Sequence, residues 1–541
     1  MSIVLWRLPA QKDQKRVKPL KELVLKKIAD SDECAQTSLK PFHYLSPMMK
    51  KEILSHMASQ QGSIDEYQTQ AMANWMFELA SHLLDVHTKE FDFSIFGTRC
   101  AWEYIERDQK VWQMLADKCP NLESILDKRR TAIWLIDNNP DNDIECNKLY
   151  MRNMLPYLRK FPKLEHISLI KYICDSEDLA QLAYHWPNLL TLSVAFEFVD
   201  SDTLRNLFHF QKLEHLEIEW SKFDIWSIKN ELLYNEQFLY LERFKSECME
   251  HLPNLQYLSG GAEFHNELPY QGKRKLALRE IDVSVGFNLE LVPFLEKLKV
   301  TGPGFEIPSH TFGNLTNLTV LILYEMKDSH ISDVLTHCGA RLHELVLNES
   351  VYEAGLDLYE LVFKCQQLRT LKISSCDLSV KESNFKSQVN GKHFKIIRHF
   401  LFRNYKEDHE CEFPSDLILL LFGAPELEEL AILHAFTLCS TDLSYLTEQL
   451  LQGRILKNLK LFEFDCNIEN SIYCDDLLKF LCLLPAHAPK LQKMQGESSS
   501  EEFHESFKKS ILYNDLIIDG FKFFIGWYEY DSFYDSSDST E

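Results

Sequence analysis

The side chains with the strongest chemistry in this 541-residue sequence are its 20 histidines and 14 cysteines, and neither set is spaced for a reaction. A zinc site draws on close pairs such as C-x-x-C, and none occurs. The helical H-E-x-x-H motif is absent, as is the G-x-S-x-G elbow that presents a nucleophilic serine. No G-x-x-x-x-G-K-S/T or G-x-G-x-x-G loop is present to cradle a phosphate. Cys174, Cys338, Cys365 and Cys482 stand among apolar neighbours. A free thiol there behaves as a small hydrophobe, and reduced thiols are usual in the cytosol and nucleus. We therefore expect no enzymatic activity, no metal and no cofactor. The chemistry that remains is recognition. Glu217, Asp282, Lys297, Lys299, Arg369, Lys372, Arg398, Glu428, Glu429 and Glu463 each fall between the leucines of a short recurring pattern, as do His166, His215 and His343. Bases gather near 369–398 and acids near 428–463.

The elements that position these residues follow from that pattern, apolar-x-x-apolar-x-apolar. Clear copies are Leu164/Ile167/Leu169, Leu213/Leu216/Ile218, Leu295/Leu298/Val300, Leu368/Leu371/Ile373 and Leu459/Phe462/Phe464. Weaker ones begin at Leu122, Leu255 and Leu491. Steps run 25 and 24 residues from Leu164, then 23, 24 and 26 from Leu295, and lengthen to 32 at the end. Two gaps of 42 residues, after Leu122 and Leu213, leave room for a degenerate repeat or a helical insertion. A unit of ~20–29 residues carrying L-x-x-L-x-L is the signature of a leucine-rich repeat. Between the copies, Asp178, Asp202, Asp357, Asp416 and Asp475 each open a stretch of helical periodicity. An aspartate there can cap an unpaired helical N–H. Each unit thus reads strand, turn, helix. The expected fold is an α/β leucine-rich-repeat solenoid, with parallel strands on the concave face, helices on the convex face and a helical N-terminal module.

The repeats resemble intracellular, helix-bearing leucine-rich-repeat proteins such as the substrate receptors of cullin–RING ubiquitin ligases. Two amphipathic segments precede them. In the first, Pro19, Leu20, Val24 and Ile28 lie on one helical face; the second begins at Leu45, with Ser46 as cap and Pro47 in the first turn. The arrangement resembles an elongin-binding box followed by a cullin box. It departs from that pattern in placing Val24 where cysteine is usual and Ser46 between Leu45 and Pro47. An F-box, which also binds its adaptor through short helices, and a simple helical cap over the first repeat are the alternatives. The resemblance implies adaptor binding through Leu20, Val24, Ile28, Leu45 and Pro47. It implies an elongin- or Skp-type adaptor and a cullin as partners, with a protein substrate on the concave face. A scaffold with no ligase connection is the competing reading.

Charge agrees with protein partners. With 58 basic and 81 acidic side chains the net charge is −23, which argues against nucleic acid and against an anionic membrane. The first 29 residues carry eight bases against two acids, whereas residues 497–541 carry eleven acids against three bases. No secretory leader or membrane-length apolar run is visible, so a cytoplasmic or nuclear location is expected. The expected division is a basic arm with adaptor-binding helices over 1–60 and an aromatic-rich helical linker or cap over 61–118. The solenoid follows over 119–495. A C-terminal cap over 496–527 contains a hairpin at the Asp519-Gly520 turn, and an acidic tail occupies 528–541.

Overall fold

The computed structural model describes residues 45–60, 70–96, 104–127, 150–196, 200–220, 243–260, 274–283, 288–301, 308–348, 355–376, 384–403, 413–433, 438–466, 474–498 and 522–527. The chain divides into two compact units, residues 1–240 with 260–262 and residues 241–259 with 263–541. In the first unit, β1 (Glu90–Asp92), β2 (Ser124–Asp127), β3 (His166–Cys174), β4 (Thr191–Phe196) and β5 (His215–Trp220) pair in chain order, all parallel. The second unit opens with β6 (Tyr257–Gly260), β7 (Glu280–Val283), β8 (Lys297–Thr301), β9 (Val320–Tyr324) and β10 (Glu344–Asn348). It continues with β11 (Thr370–Ser374), β12 (His399–Arg403), β13 (Glu429–Leu433), β14 (Leu461–Cys466), β15 (Lys493–Ser498) and β16 (Lys522–Trp527). These too pair in parallel with their sequence neighbours. This is the α/β leucine-rich-repeat solenoid, and every apolar-x-x-apolar copy from Leu122 to Leu491 has become a strand.

Burial explains the pattern. In β8 through β12 inward and outward residues alternate, so Leu321, Leu345 and Leu371 are fully buried while their neighbours stay half-exposed or, at Lys372, exposed. The register stacks these leucines on one another, Leu321 on Leu345 on Leu371 on Phe400. A main-chain fork holds that register. Before most of the strands, the carbonyl of the preceding residue accepts two N–H groups from the next coil. The His343 carbonyl takes Arg369 and Thr370 (2.8 and 3.0 Å), Arg369 takes Arg398 and His399, and Arg398 takes Glu428 and Glu429. The same fork recurs from Lys89 to Lys460.

One strand went unforeseen, and another, expected as a hairpin arm, pairs in parallel with its predecessor. The 61–118 stretch holds helices Gln70–Leu83 and Tyr104–Lys118 but also β1, in which Phe91 aligns with Ile125. Among its described aromatics Phe91, Phe93, Phe96 and Trp112 form core, with the Phe93 ring 4.8 Å from Trp112 and the Trp112 Nε1 3.4 Å from the buried Tyr172 hydroxyl. At the other end β16 lies parallel to β15, so Lys522–Trp527 extends the sheet, while the other arm of the expected hairpin, residues 515–518, lies outside the described residues. Both strands escaped the pattern because Thr88 and Gly520 stand where the first apolar residue should be. The Asp519-Gly520 turn itself and the 528–541 tail lie outside the described residues.

The helix caps shift in two units, by three residues in one and by two in the other. Asp357 caps helix Leu358–Lys364 as expected, accepting the Tyr359 and Glu360 N–H groups. Asp178 and Asp202 instead lie in the first turns of helices Ser176–His185 and Ser201–Leu207, which Asp175 and Asp200 cap from extended backbone. Asp416 follows Pro414 and Ser415 and serves a different contact. Asp475 lies inside helix Cys474–His487.

Candidate protein-recognition surface

The outward positions of the parallel strands carry the surface, and the two units differ there. In the first, Ser168, Ser193 and Ala195 are buried although they occupy outward positions. Across the second unit those positions remain half-exposed from β8 to β12, apart from the fully exposed Lys372.

Most of the charged candidates there have a polar or charged partner close by. Lys299 Nζ lies 2.8 Å from Asp282 Oδ2 and 5.0 Å from the Tyr324 ring centre, and Lys297 lies 3.1 Å from Glu280. Lys372 reaches Glu344 (3.9 Å), His399 Nδ1 reaches Glu429 Oε2 (3.0 Å), and Lys493 reaches Glu463 (3.5 Å). Every one of these pairs joins adjacent strands. Glu217 lies on β5, 4.0 Å from His215 Nε2, and His166 Nδ1 meets Thr191 Oγ1 at 2.9 Å. Arg369, Arg398, Glu428 and His343 stand one residue before their strands, at the fork position. There Arg398 pairs with Glu426 (4.0 Å) and Glu428 with Lys460. The Lys460 ammonium holds the Glu428 carboxyl below its usual range. The segregation of bases and acids visible along the sequence is therefore largely cancelled by neighbouring coils.

Between these pairs runs an apolar path that the charge pattern had hidden. Ile322, Val346 and Leu401 are half-exposed and lie in one cross-strand register with Lys372 and the small, buried Ala431. Their signal was in the sequence: Ile322 and Leu401 stand between two core residues, where a charge usually sits.

At the N-terminal side, Leu20, Val24 and Ile28 lie outside the described residues. Leu45 is half-buried and Pro47 is exposed at the start of helix Pro47–Gln60, where Ser46 Oγ accepts the Met49 N–H at 3.3 Å. The helix has two faces. Ile53 and Met57 are buried, while Met48 and Met49 are 69% and 47% exposed. Lys50, on the inner side, donates to Asp85 Oδ2 at 2.7 Å. Burial pushes the Asp85 carboxyl up, but Lys50 and the His87 N–H outweigh it and hold the group below its usual range. Met48 and Met49 escaped sequence reasoning because it is their place in the first turn, ahead of the buried Lys50, Ile53 and Met57, that leaves them at the surface.

The convex side holds two polar clusters. Ser332 Oγ donates to Glu360 (2.5 Å) and accepts from Lys364 Nζ (2.9 Å). Lys364 is also ion-paired with Glu360, so it is a charged tie between neighbouring helices and no base for the serine. Tyr359 donates to Asp416, which Lys386 also meets at 2.9 Å; burial and that carboxylate push the phenol up. Burial likewise raises the Cys174 and Cys365 thiols and takes Cys338 to about 12. Among the described residues no group of His, Cys, Asp or Glu could hold a metal ion, and no helix is long and apolar enough to cross a membrane.

Residues 140–252 match the FTH domain family, about a fifth of the chain. No curated protein matches the sequence. Among solved structures, a chain of the Rad7–Elc1 complex in yeast is similar at 12% identity, over 90% of this chain and 96% of that one, with a TM-score of 0.36. An internalin (InlF) from Listeria monocytogenes is similar at 12% identity over 69% and 83%, with a TM-score of 0.31. A leucine-rich-repeat protein of Leptospira interrogans is similar at 13% over 70% and 92%, with a TM-score of 0.28.

Proposed function

We propose that this chain is the substrate-recognition subunit of a cullin–RING ubiquitin ligase. The concave face of the second unit holds a protein substrate, and the N-terminal segment docks an elongin- or Skp-type adaptor that leads to the cullin. The observation that carries the reading is the exposed head Pro47–Met48–Met49, in the first turn of a helix that Ile53 and Met57 anchor further along. A partner's groove can take such a head without unfolding the helix. The FTH match supports the same reading, because that domain is F-box-associated. The chain itself catalyses nothing; it holds substrate and ligase together and so raises their effective concentration.

The test is a pull-down of recombinant elongin and Skp-type adaptors by the full chain and by two variants. Leu20→Ala/Val24→Asp/Ile28→Asp removes the elongin-box-like face, and Met48→Asp/Met49→Asp removes the exposed head. Recovery by the intact chain and loss in one variant supports the reading and says which segment docks. Recovery of neither adaptor by the intact chain ends it. The buried Ile53 and Met57 favour a second reading, in which this helix only caps the first repeat and the chain is a scaffold with no ligase connection.

A further inference from the structure

We propose that the segment bound along β9–β13 is an uncharged, aliphatic stretch of a partner protein. The inference rests on reading the concave face as the partner-binding surface and is independent of the ligase connection.

Two observations point to this chemistry. The first is the path itself. Ile322, Val346, Leu401 and Ala431 share one register across β9, β10, β12 and β13, and Lys372 is the single interruption, on β11. Strands step by ~4.8 Å, so four steps span about 19 Å, the reach of roughly six extended residues. The second is the charge around it. Lys372 is turned to Glu344, and Glu429 to His399. Toward either end stand the Asp282–Lys299 and Glu463–Lys493 pairs. Each of these three lysines thus has its opposite charge one strand away, Glu429 is engaged by the His399 ring, and the face presents local dipoles in a chain of net charge −23. A charged partner would have to desolvate or break these pairs for little Coulomb return, whereas aliphatic side chains meet an aliphatic floor. The chain's acidity therefore does not select a basic partner at this face.

The experiment is to pan a phage-displayed library of random 12-residue peptides on the immobilised full chain. The enriched peptides are then titrated against Leu401→Asp, Ile322→Ser and the charge-swapped Asp282→Lys/Lys299→Asp. Both apolar sites are half-exposed, and circular dichroism verifies that each variant keeps its fold. The expected result is enrichment of uncharged aliphatic peptides, a loss of tenfold or more in affinity on Leu401→Asp and Ile322→Ser, and a change under threefold on the charge swap. Enrichment of basic or acidic peptides overturns the proposed chemistry while leaving the face as a binding surface. No enrichment, or enrichment indifferent to Leu401→Asp and Ile322→Ser, overturns the concave-face reading as well. Adaptor recovery in the pull-down stands apart from all of these outcomes.

Discussion

Asp178 shows how much a single side chain depends on its surroundings. It sits buried at the third position of its helix, where its carboxylate accepts the Asp175 N–H while Asp175 accepts its own. Burial raises its pKa to about 6 from an ordinary 3.8; the Asp175 N–H opposes the rise and the nearby Asp175 carboxylate adds to it. The folded state then binds a proton more tightly than the unfolded chain. The associated stability is complete below about pH 4 and is lost as the pH rises through about 6. Two pH units correspond to roughly 3 kcal/mol at most. Asp178→Asn keeps the acceptor oxygen and removes the titration. Urea unfolding between pH 4 and 7 should therefore fall in stability for the native chain relative to the variant, and parallel curves would contradict the shift. At the same scale, Asp357→Ala should cost about 1 kcal/mol, because it frees the Tyr359 and Glu360 N–H groups. A urea midpoint unchanged by that substitution would show the cap to be idle.

Elements are set by the forked carbonyls as much as by the leucines. A leucine fixes which side of a strand is buried, since a slip of one residue would reverse every side chain. The fork fixes which coil follows which, by spending two N–H groups on one oxygen. It acts through the main chain, so side chains at that position vary freely among Glu165, His343, Arg369 and Lys460. Arg398→Ala should therefore change stability by less than about 0.5 kcal/mol, its pair with Glu426 being half-exposed. Arg398→Pro removes the N–H given to the Arg369 carbonyl and should cost about 3 kcal/mol or more. Guanidinium melts of the two variants check this, and equal costs would mean that the side chain matters more than the fork.

At the scale of the whole molecule, a repeat array is held by nearest neighbours. Leu371 is fully buried between Leu345 and Phe400. Leu371→Ala should cost about 2–5 kcal/mol. Amide exchange should rise first in β10, β11 and β12 and stay unchanged in β1–β5. Uniform loss of protection across the chain would show a single cooperative body instead. The array was legible in the sequence because each coil repeats the same burial demand, and fourteen weak signals at regular spacing become one strong one. β1 was not, and β16 was read as a hairpin arm and not as a further repeat strand, because Thr88 and Gly520 break that demand at the two ends. The recognition surface was legible only in part. Periodicity says which residues face outward, and it placed Asp282, Lys299, Lys372 and Glu463 on that face. It cannot say which outward charges meet, since partners such as Lys299 and Asp282 are 17 residues apart and become neighbours only through the register. The sequence alone determined the repeat, its parallel strands and the face they present. Only the tertiary structure decided that the charges of this face neutralise one another and leave an aliphatic path, because that depends on contacts between coils and not on the order within any one of them.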